Sequence, residues 1–273
     1  MEAMGAEEGK KYRWDAEDYH RSSSQQEKWG RELLSRLDLR GTERVLDIGC
    51  GDGKLTAEIA RRVPHGSVLG IDSSEEMITF ARTTFPTRRF PNLSWEVTDA
   101  RRLDFRARFD VVFSNAALHW ISDQLGVLQG VKRGLKPGGK VLFQMGGRGN
   151  AADVVKVLAA MLSREEWGRY FRRFTLPYRF FGPREYLDLL GKAGLKPIRA
   201  ELVEKDMTHE GGEGLASWIR TTWLPFTQRI PEGLRNDFIW EMVEGYLEQH
   251  PPDRNGLVHV KAIRLEVEAK RRR

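Results

Sequence analysis

Short apolar runs alternating with amphipathic stretches set the rhythm of the chain from residue 41 to 145. Val45-Leu-Asp-Ile48, Val68-Leu-Gly-Ile71 and Leu93-Ser-Trp-Glu-Val97 each read as a strand, the last running on to Asp99. Phe109-Asp-Val-Val-Phe-Ser-Asn115 and Lys140-Val-Leu-Phe-Gln-Met145 are a fourth and a fifth. The fourth carries β-branched and aromatic residues, consistent with a buried parallel strand. Strands alternating with helices predict an α/β fold, a doubly wound and mostly parallel sheet. Before this region, residues 12–39 read as one helical segment. Trp14, Tyr19, Gln26, Trp29, Leu33 and Leu34 recur there at helical intervals. After it, Pro183 opens a helix over 184–192 that Gly194 ends. Residues 195–206 and 257–269 then alternate as a sixth and a seventh strand, completing a seven-stranded sheet. Residues 150–180 and 211–250 read as helical insertions.

The organisation expected is therefore a helical cap over 1–40, a ligand-binding core over 41–149, and helical lid insertions interleaved with the last strands over 150–273. Residues 1–11 are small and charged and are expected to be poorly ordered. No repeat or low-complexity stretch is present.

The chemistry starts where the first strand meets Gly49-Cys-Gly51-Asp-Gly53. Asp47 precedes the first glycine, and the second strand ends on Asp72, nineteen residues past Gly53. Glycines there let backbone approach a ligand closely, and the second acid can accept hydrogen bonds from ribose hydroxyls. The loop fits neither G-x-G-x-x-G nor a phosphate loop, because Lys54, Thr56 and Leu55 stand where those motifs need other residues. Asp47 and Asp52 would repel a pyrophosphate but tolerate a sulfonium or an amino group. The stretch closely resembles the D-x-G-x-G-x-G signature of class I S-adenosylmethionine (SAM) methyltransferases, a Rossmann-like fold. The resemblance implies SAM as cofactor and S-adenosylhomocysteine as product. Asp47, Gly49, Gly51, Gly53 and Asp72, with Ser73 and Met77 after it, form the expected cofactor set. By the same resemblance Asp99 binds the adenine amino group, Ala100 offers its N–H to the ring, and Asn115 stands at the mouth of the cleft.

Composition narrows the partners. There are 45 basic against 39 acidic residues, a net +6, and Lys270 to Arg273 alone contribute four of those charges. That tail reads as a solvated terminus, and the near-neutral remainder argues against a nucleic-acid groove. The single cysteine, Cys50, excludes an internal disulfide and a cysteine zinc cluster, and no metal site is expected. A charged start without a signal-peptide core, and no apolar run of membrane-spanning length, give the expectation of a cytoplasmic protein, monomer or homodimer, with no membrane partner.

Methyl transfer is an in-line displacement, so a protein must align the acceptor and exclude water. A carboxylate acceptor arrives ionised and needs only hydrogen-bond donors; an amine or hydroxyl profits from a base. His119 follows the fourth strand, where acceptor and methyl should meet, and is placed as that base, as a neutral donor, or as a packed corner residue. Trp120 offers an indole N–H and an apolar wall. Trp218 and Trp223 fall on helical spacing that would line a pocket in an aromatic lid. In or beside that lid also lie Trp167, Tyr170, Phe171, Phe174, Tyr178, Phe180, Phe181, Phe226, Phe238 and Trp240.

Asn115-Ala-Ala-Leu-His119-Trp120 also looks like the N-A-S-L-Q-W segment of trans-aconitate methyltransferases, with His119 in place of glutamine. The similarity continues through Ala216-Ser-Trp-Ile-Arg220-Thr-Thr-Trp223. Tyr19-x-x-Ser22-x-x-x-Gln26 is similar to the N-terminal segment of juvenile hormone acid methyltransferases. Both groups make methyl esters. The resemblance implies that Tyr19 lies at the substrate, that Gln26 and Trp120 donate to its carboxylate, and that Arg220 holds a further anionic group. The expectation is a small-molecule carboxyl O-methyltransferase, with His119, Trp120 and Gln26 as its catalytic residues. The alternatives are an amine or phenol methyltransferase using His119 as base, an RNA or protein methyltransferase, and a silent cofactor-binding scaffold.

Overall fold

In the computed structural model, which describes residues 12–273, the expected apolar runs all become strands. In chain order the elements are α1 (Ala16–Ser22), α2 (Ser24–Leu34), β1 (Arg44–Ile48), α3 (Lys54–Arg62), β2 (Ser67–Asp72), α4 (Glu75–Thr84), β3 (Leu93–Val97), β4 (Phe109–Asn115), α5 (Gln124–Gly134), β5 (Leu135–Gly146), α6 (Ala152–Leu162), α7 (Glu165–Gly168), α8 (Pro183–Lys192), β6 (Leu195–Glu210), α9 (Gly211–Thr222), α10 (Leu224–Thr227), α11 (Arg235–Leu247) and β7 (Leu257–Arg271). The seven strands form one sheet in the order β3-β2-β1-β4-β5-β7-β6. β1 to β5 pair in parallel, and β7 runs antiparallel to β5.

The sheet is covered on both faces because neighbouring residues along each inner strand are both apolar and point opposite ways. Leu46, Leu69, Val112 and Phe143 pack with Val127, Leu128 and Val131 of α5 and with Tyr186 and Leu190 of α8. Val45, Val68, Val111 and Leu142 pack on the other face with Leu33 and Leu34 of α2 and Ala57, Ile59 and Ala60 of α3. Phe109 breaks the alternation, joining the α5 face, because the β4–β5 register shifts between Phe109 and Val111.

The chain divides into two compact units. The sheet unit comprises Ser23–Arg148, Tyr178–Val203 and Arg264–Arg273; the helical unit comprises, among the described residues, 12–22, Gly149–Pro177 and Glu204–Ile263. Residues 1–11, expected to be poorly ordered, lie outside the described residues.

Three expectations change. The segment 12–39 is two helices, separated at Ser23 (φ −92°, ψ 19°). Its run Ser22-Ser-Ser24 is of a type that favours caps over helix interiors. The boundary expected near residue 40 thus falls between Ser22 and Ser23, since α2 is fastened to α3. Arg31 pairs with Glu58 at 2.9 Å, and Arg62 donates to the Leu34 carbonyl at 3.1 Å. The basic tail is a free terminus only at Arg272 and Arg273, which are exposed beyond the last strand. Lys270 and Arg271 finish β7, and the Arg271 guanidinium donates to the Lys132 and Arg133 carbonyls at the end of α5, where a cation complements the helix dipole. Among the described residues no helix is long and apolar enough to cross a membrane.

Candidate active site

All three loop glycines hold positive φ: Gly49 at 71°, Gly51 at 53° and Gly53 at 86°. Two of them also lack room for a side chain. A Cβ on Gly49 would lie 2.1 Å from the Ala117 Cβ, and one on Gly53 would lie 2.6 Å from the Trp95 ring. The sequence D-x-G-x-G-x-G is therefore what lets β1 turn sharply into α3 beneath the β4 loop. The Gly49 and Cys50 N–H groups both donate to the Ile71 carbonyl, at 2.8 and 3.0 Å, which locks the turn to β2.

The acids divide into two kinds. Asp72 ends β2, and its Oδ2 accepts the Gly51 N–H at 3.1 Å while Oδ1 accepts the Ser74 N–H at 2.9 Å. The Ser73 N–H adds to this. Burial nevertheless holds the Asp72 carboxyl above the usual carboxylate range. Each oxygen keeps lone pairs for hydroxyl donors. Asp47 lies beneath the loop, only 2% exposed, with its Oδ2 taken by the Thr56 hydroxyl at 2.7 Å. Burial first, and then the charge of Asp72, push it up to about 7. Asp52 is tied to Lys54, whose Nζ stands 3.5 Å from both Asp52 and Glu27. Cys50 is buried, and burial with the acids around it pushes its thiol pKa well up, so it is no nucleophile.

Met77, one turn into α4, is buried, and its N–H donates to Ser74 Oγ at 3.2 Å. Asp99 is clasped by Arg101, Nη2 to Oδ2 at 2.7 Å, which holds its carboxyl below the usual range. Ala100, buried, opens the short turn that follows.

At the end of β4 the structure brings Asn115 and Gln26 together. Asn115 Nδ2 donates to the Gln26 carbonyl at 3.0 Å, while Asn115 Oδ1 is buried with no hydrogen-bond partner. Gly30, one turn after Gln26 on α2, permits this approach; a Cβ there would be 2.9 Å from Asn115 Nδ2. Ala116, next in the chain, takes φ 56°, and its N–H donates to the Gln144 carbonyl at 2.8 Å. A non-glycine residue held in that region costs about 1 kcal/mol and marks a turn that its surroundings enforce.

His119 and Trp120 sit on the short helical turn Leu118–Trp120. The Gly146 N–H donates to His119 Nδ1 at 3.4 Å, so the neutral ring carries its proton on Nε2. Burial first, and then the charge of Arg264, push its pKa down to about 3. Tyr178 and Phe180 stack on each other at 5.7 Å, and each lies 5.9 Å from the His119 ring. Trp120 meets Tyr178 edge to face at 4.8 Å. Tyr178, Phe180 and Phe181, expected in or beside the lid, belong to the sheet unit. The Arg179 N–H fastens their segment by donating to the His119 carbonyl at 2.9 Å. Two residues not foreseen hold this turn. The amide of buried Gln124 donates to the Ile121 carbonyl at 2.8 Å, and Tyr186 donates to Gln124 Oε1 at 3.0 Å.

The remaining expected substrate residues lie in the helical unit. Tyr19 meets Trp14 edge to face at 5.6 Å. Trp218 and Trp223 are buried in that unit, 5.5 Å apart, and Phe226 continues the cluster from Trp223. Arg220, expected either to hold an anion or to form a surface salt bridge, pairs with Asp18, Nε to Oδ2 at 2.8 Å and Nη2 to Oδ1 at 3.1 Å.

These residues fit SAM. The buried Asn115 oxygen is an acceptor for an ammonium, the glycine turn is a cradle, and Asp72 offers acceptors to a diol. Comparison with known proteins agrees. Residues 45–139 match the methyltransferase domain family. Trans-aconitate 2-methyltransferase of Deinococcus radiodurans is 31% identical over 221 residues, 80% of this chain and 83% of that protein. An uncharacterized methyltransferase of Schizosaccharomyces pombe is 37% identical over 223 residues, 80% and 84% of the two. Among solved structures, phosphoethanolamine N-methyltransferase 2 of Haemonchus contortus in complex with SAM shares the fold at TM-score 0.59. It is 21% identical, with 94% of this chain and 57% of that one covered.

Proposed function

Because the chain belongs to the class I SAM-dependent methyltransferases, we propose that it methylates the carboxylate of a small organic acid to a methyl ester. The observation that carries this reading is the state of His119. Its Nδ1 faces the Gly146 N–H and its pKa is about 3, so at neutral pH it is a hydrogen-bond donor through Nε2 and a poor base. An amine or phenol acceptor wants a base whose pKa lies near the working pH. A carboxylate, with a pKa of about 4, is already ionised and wants donors instead. Similarity to a trans-aconitate 2-methyltransferase supports the same acceptor class.

Bound SAM supplies a methyl group on a sulfonium. Asp72 holds the ribose hydroxyls, prepared by the Gly51 and Ser74 N–H groups that fix its two oxygens. Asn115 Oδ1 accepts from the amino-acid end, and Gly49, Gly51 and Gly53 let the loop backbone close on it. Asp99 and Ala100 take the adenine edge, with Ser73 and Met77 beside it. Gln26, Trp120 and His119 orient the acid through neutral donors, which aim one oxygen without quenching its nucleophilicity. Tyr178 and Phe180 exclude water behind them.

The test is incubation with SAM and a panel of carboxylic acids, amines and phenols, read by mass spectrometry. A base-labile methyl ester, lost in Asp72→Ala and reduced in Gln26→Ala, is expected. A methylated amine or phenol as the only product would sink the reading.

A further inference from the structure

The residue that meets Gly146 across the β5–β7 ladder is Arg264. Gly146 is also the residue whose N–H reaches His119 Nδ1. Arg264 is only 6% exposed, and its charge cannot be shed by deprotonation. Its guanidinium carbon lies 5.5 Å from the centre of the Trp29 ring. Trp29 follows Gln26 by one turn on the same side of α2, and Gln26 is the residue whose carbonyl Asn115 holds. Arg264 therefore shares its neighbours, Gly146 through the backbone ladder and Trp29 through its guanidinium, with the two donors assigned to the substrate, His119 and Gln26. Its field reaches His119, which it helps to keep neutral. A packing role against Trp29 alone would be met by an apolar or aliphatic side chain, without placing a fixed cation beside the donors.

The geometry points to Arg264 as the group that binds a second anionic substituent of the substrate, so that the site selects organic acids carrying two or more negative groups. The inference rests on the carboxylate reading above. It gives Arg264 the part that the sequence suggests for Arg220, whose guanidinium Asp18 engages. The carboxylate to be methylated is left to the neutral donors, because a bidentate arginine fork would hold both its oxygens.

The experiment uses the full chain and matched pairs of acids: fumarate against crotonate, and trans-aconitate against the mono-acids of the panel. Ester formation is measured for wild type, Arg264→Met and Arg264→Lys. Wild type should favour the polyanionic member in kcat/KM by about tenfold or more. Arg264→Met should lose that preference through KM, with kcat within about threefold. Arg264→Lys, which keeps the charge and loses the fork, should fall between. Independently of activity, the His119 ring protons followed by NMR should titrate at higher pH in Arg264→Met, while SAM affinity stays unchanged. If Arg264→Met does not fold, Arg264→Lys decides, by raising KM for the polyanion and sparing the mono-acid. An unchanged preference in a folded variant, or a wild type that prefers mono-acids, overturns the inference alone. A wild type that methylates only amines or phenols overturns the carboxylate reading and this inference with it.

Discussion

The Gly51 backbone N–H meets Asp72 Oδ2 at 3.1 Å, so the glycine turn after β1 and the acid that ends β2 are one unit. Asp72→Ala removes both the acceptor for ribose and the partner of two loop N–H groups. SAM affinity, measured by calorimetry, should fall by about tenfold or more. Asp72→Asn, which retains one acceptor, should lose less.

Gly49→Ala tests the turn itself. A methyl group there meets the Ala117 Cβ at 2.1 Å and sits on a backbone at φ 71°. The two penalties together should cost about 2 kcal/mol or more. Thermal melting and SAM titration should show loss of both stability and binding, whereas Gly191→Ala, open on all sides, should retain both.

His119 gives a pH signature. With its pKa near 3 in the fold against 6.5 as the ordinary value, the unfolded chain binds the extra proton between those limits. This residue therefore makes stability rise with pH from about 3 to 6.5 and leaves it flat above. The rate of ester formation should show no inflection near 6.5, and His119→Gln, which keeps a donor, should retain activity within about tenfold. A rate that climbs through pH 6–7 in wild type and not in His119→Gln would make the ring a base.

Asp47 works in the opposite sense. Its carboxyl is pushed from 3.8 up to about 7, so the folded state holds the proton more tightly and loses stability as pH rises through that window. Asp47→Asn, which keeps an oxygen for Thr56, should raise the melting temperature of the cofactor-free protein at pH 8 by a few degrees, roughly 1 kcal/mol or more. At pH 4 it should do little.

Arg220→Ala breaks an ion pair whose arginine is 51% exposed. The loss should be under about 1 kcal/mol, with SAM affinity unchanged. A large rise in KM for the acid would show that Arg220 leaves Asp18 for the substrate.

Most of the sheet was legible because β4 and its neighbours each carry a run of consecutive apolar residues, such as Val111-Val-Phe113, which a parallel strand covered on both faces requires. The loop was legible because three glycines with an acid on each side have few other uses. Helix ends were harder: Ser22-Ser-Ser24 signals a break, but the flanking aromatics keep a helical spacing across it. Gln124 and Tyr186 escaped notice because a buried amide–hydroxyl pair 62 residues apart leaves no local pattern. Arg264 was hidden by its strand. In Ala262-Ile-Arg-Leu-Glu-Val267 a charge at every second position reads as a solvent face, yet Arg264 and Glu266 are both buried. Only the register, which sets Gly146 against Arg264 and Gln144 against Glu266, assigns them to the interior.

The strand order β5-β7-β6 fixes the timetable of synthesis. The ribosome delivers β6 before β7, yet β7 is the strand that lies between β5 and β6. A nascent chain that has released the glycine loop and five parallel strands still has an open slot beside β5, and all of residues 147–256 must emerge before the filler arrives. Arg264, Glu266 and the Arg271 clasp on α5 are all carried by that filler. A nascent protein thus acquires its cofactor turn, with buried Asp47, early and its buried Arg264 and Glu266 last, and a chain stalled before β7 would present the bare edge of β5 to its surroundings.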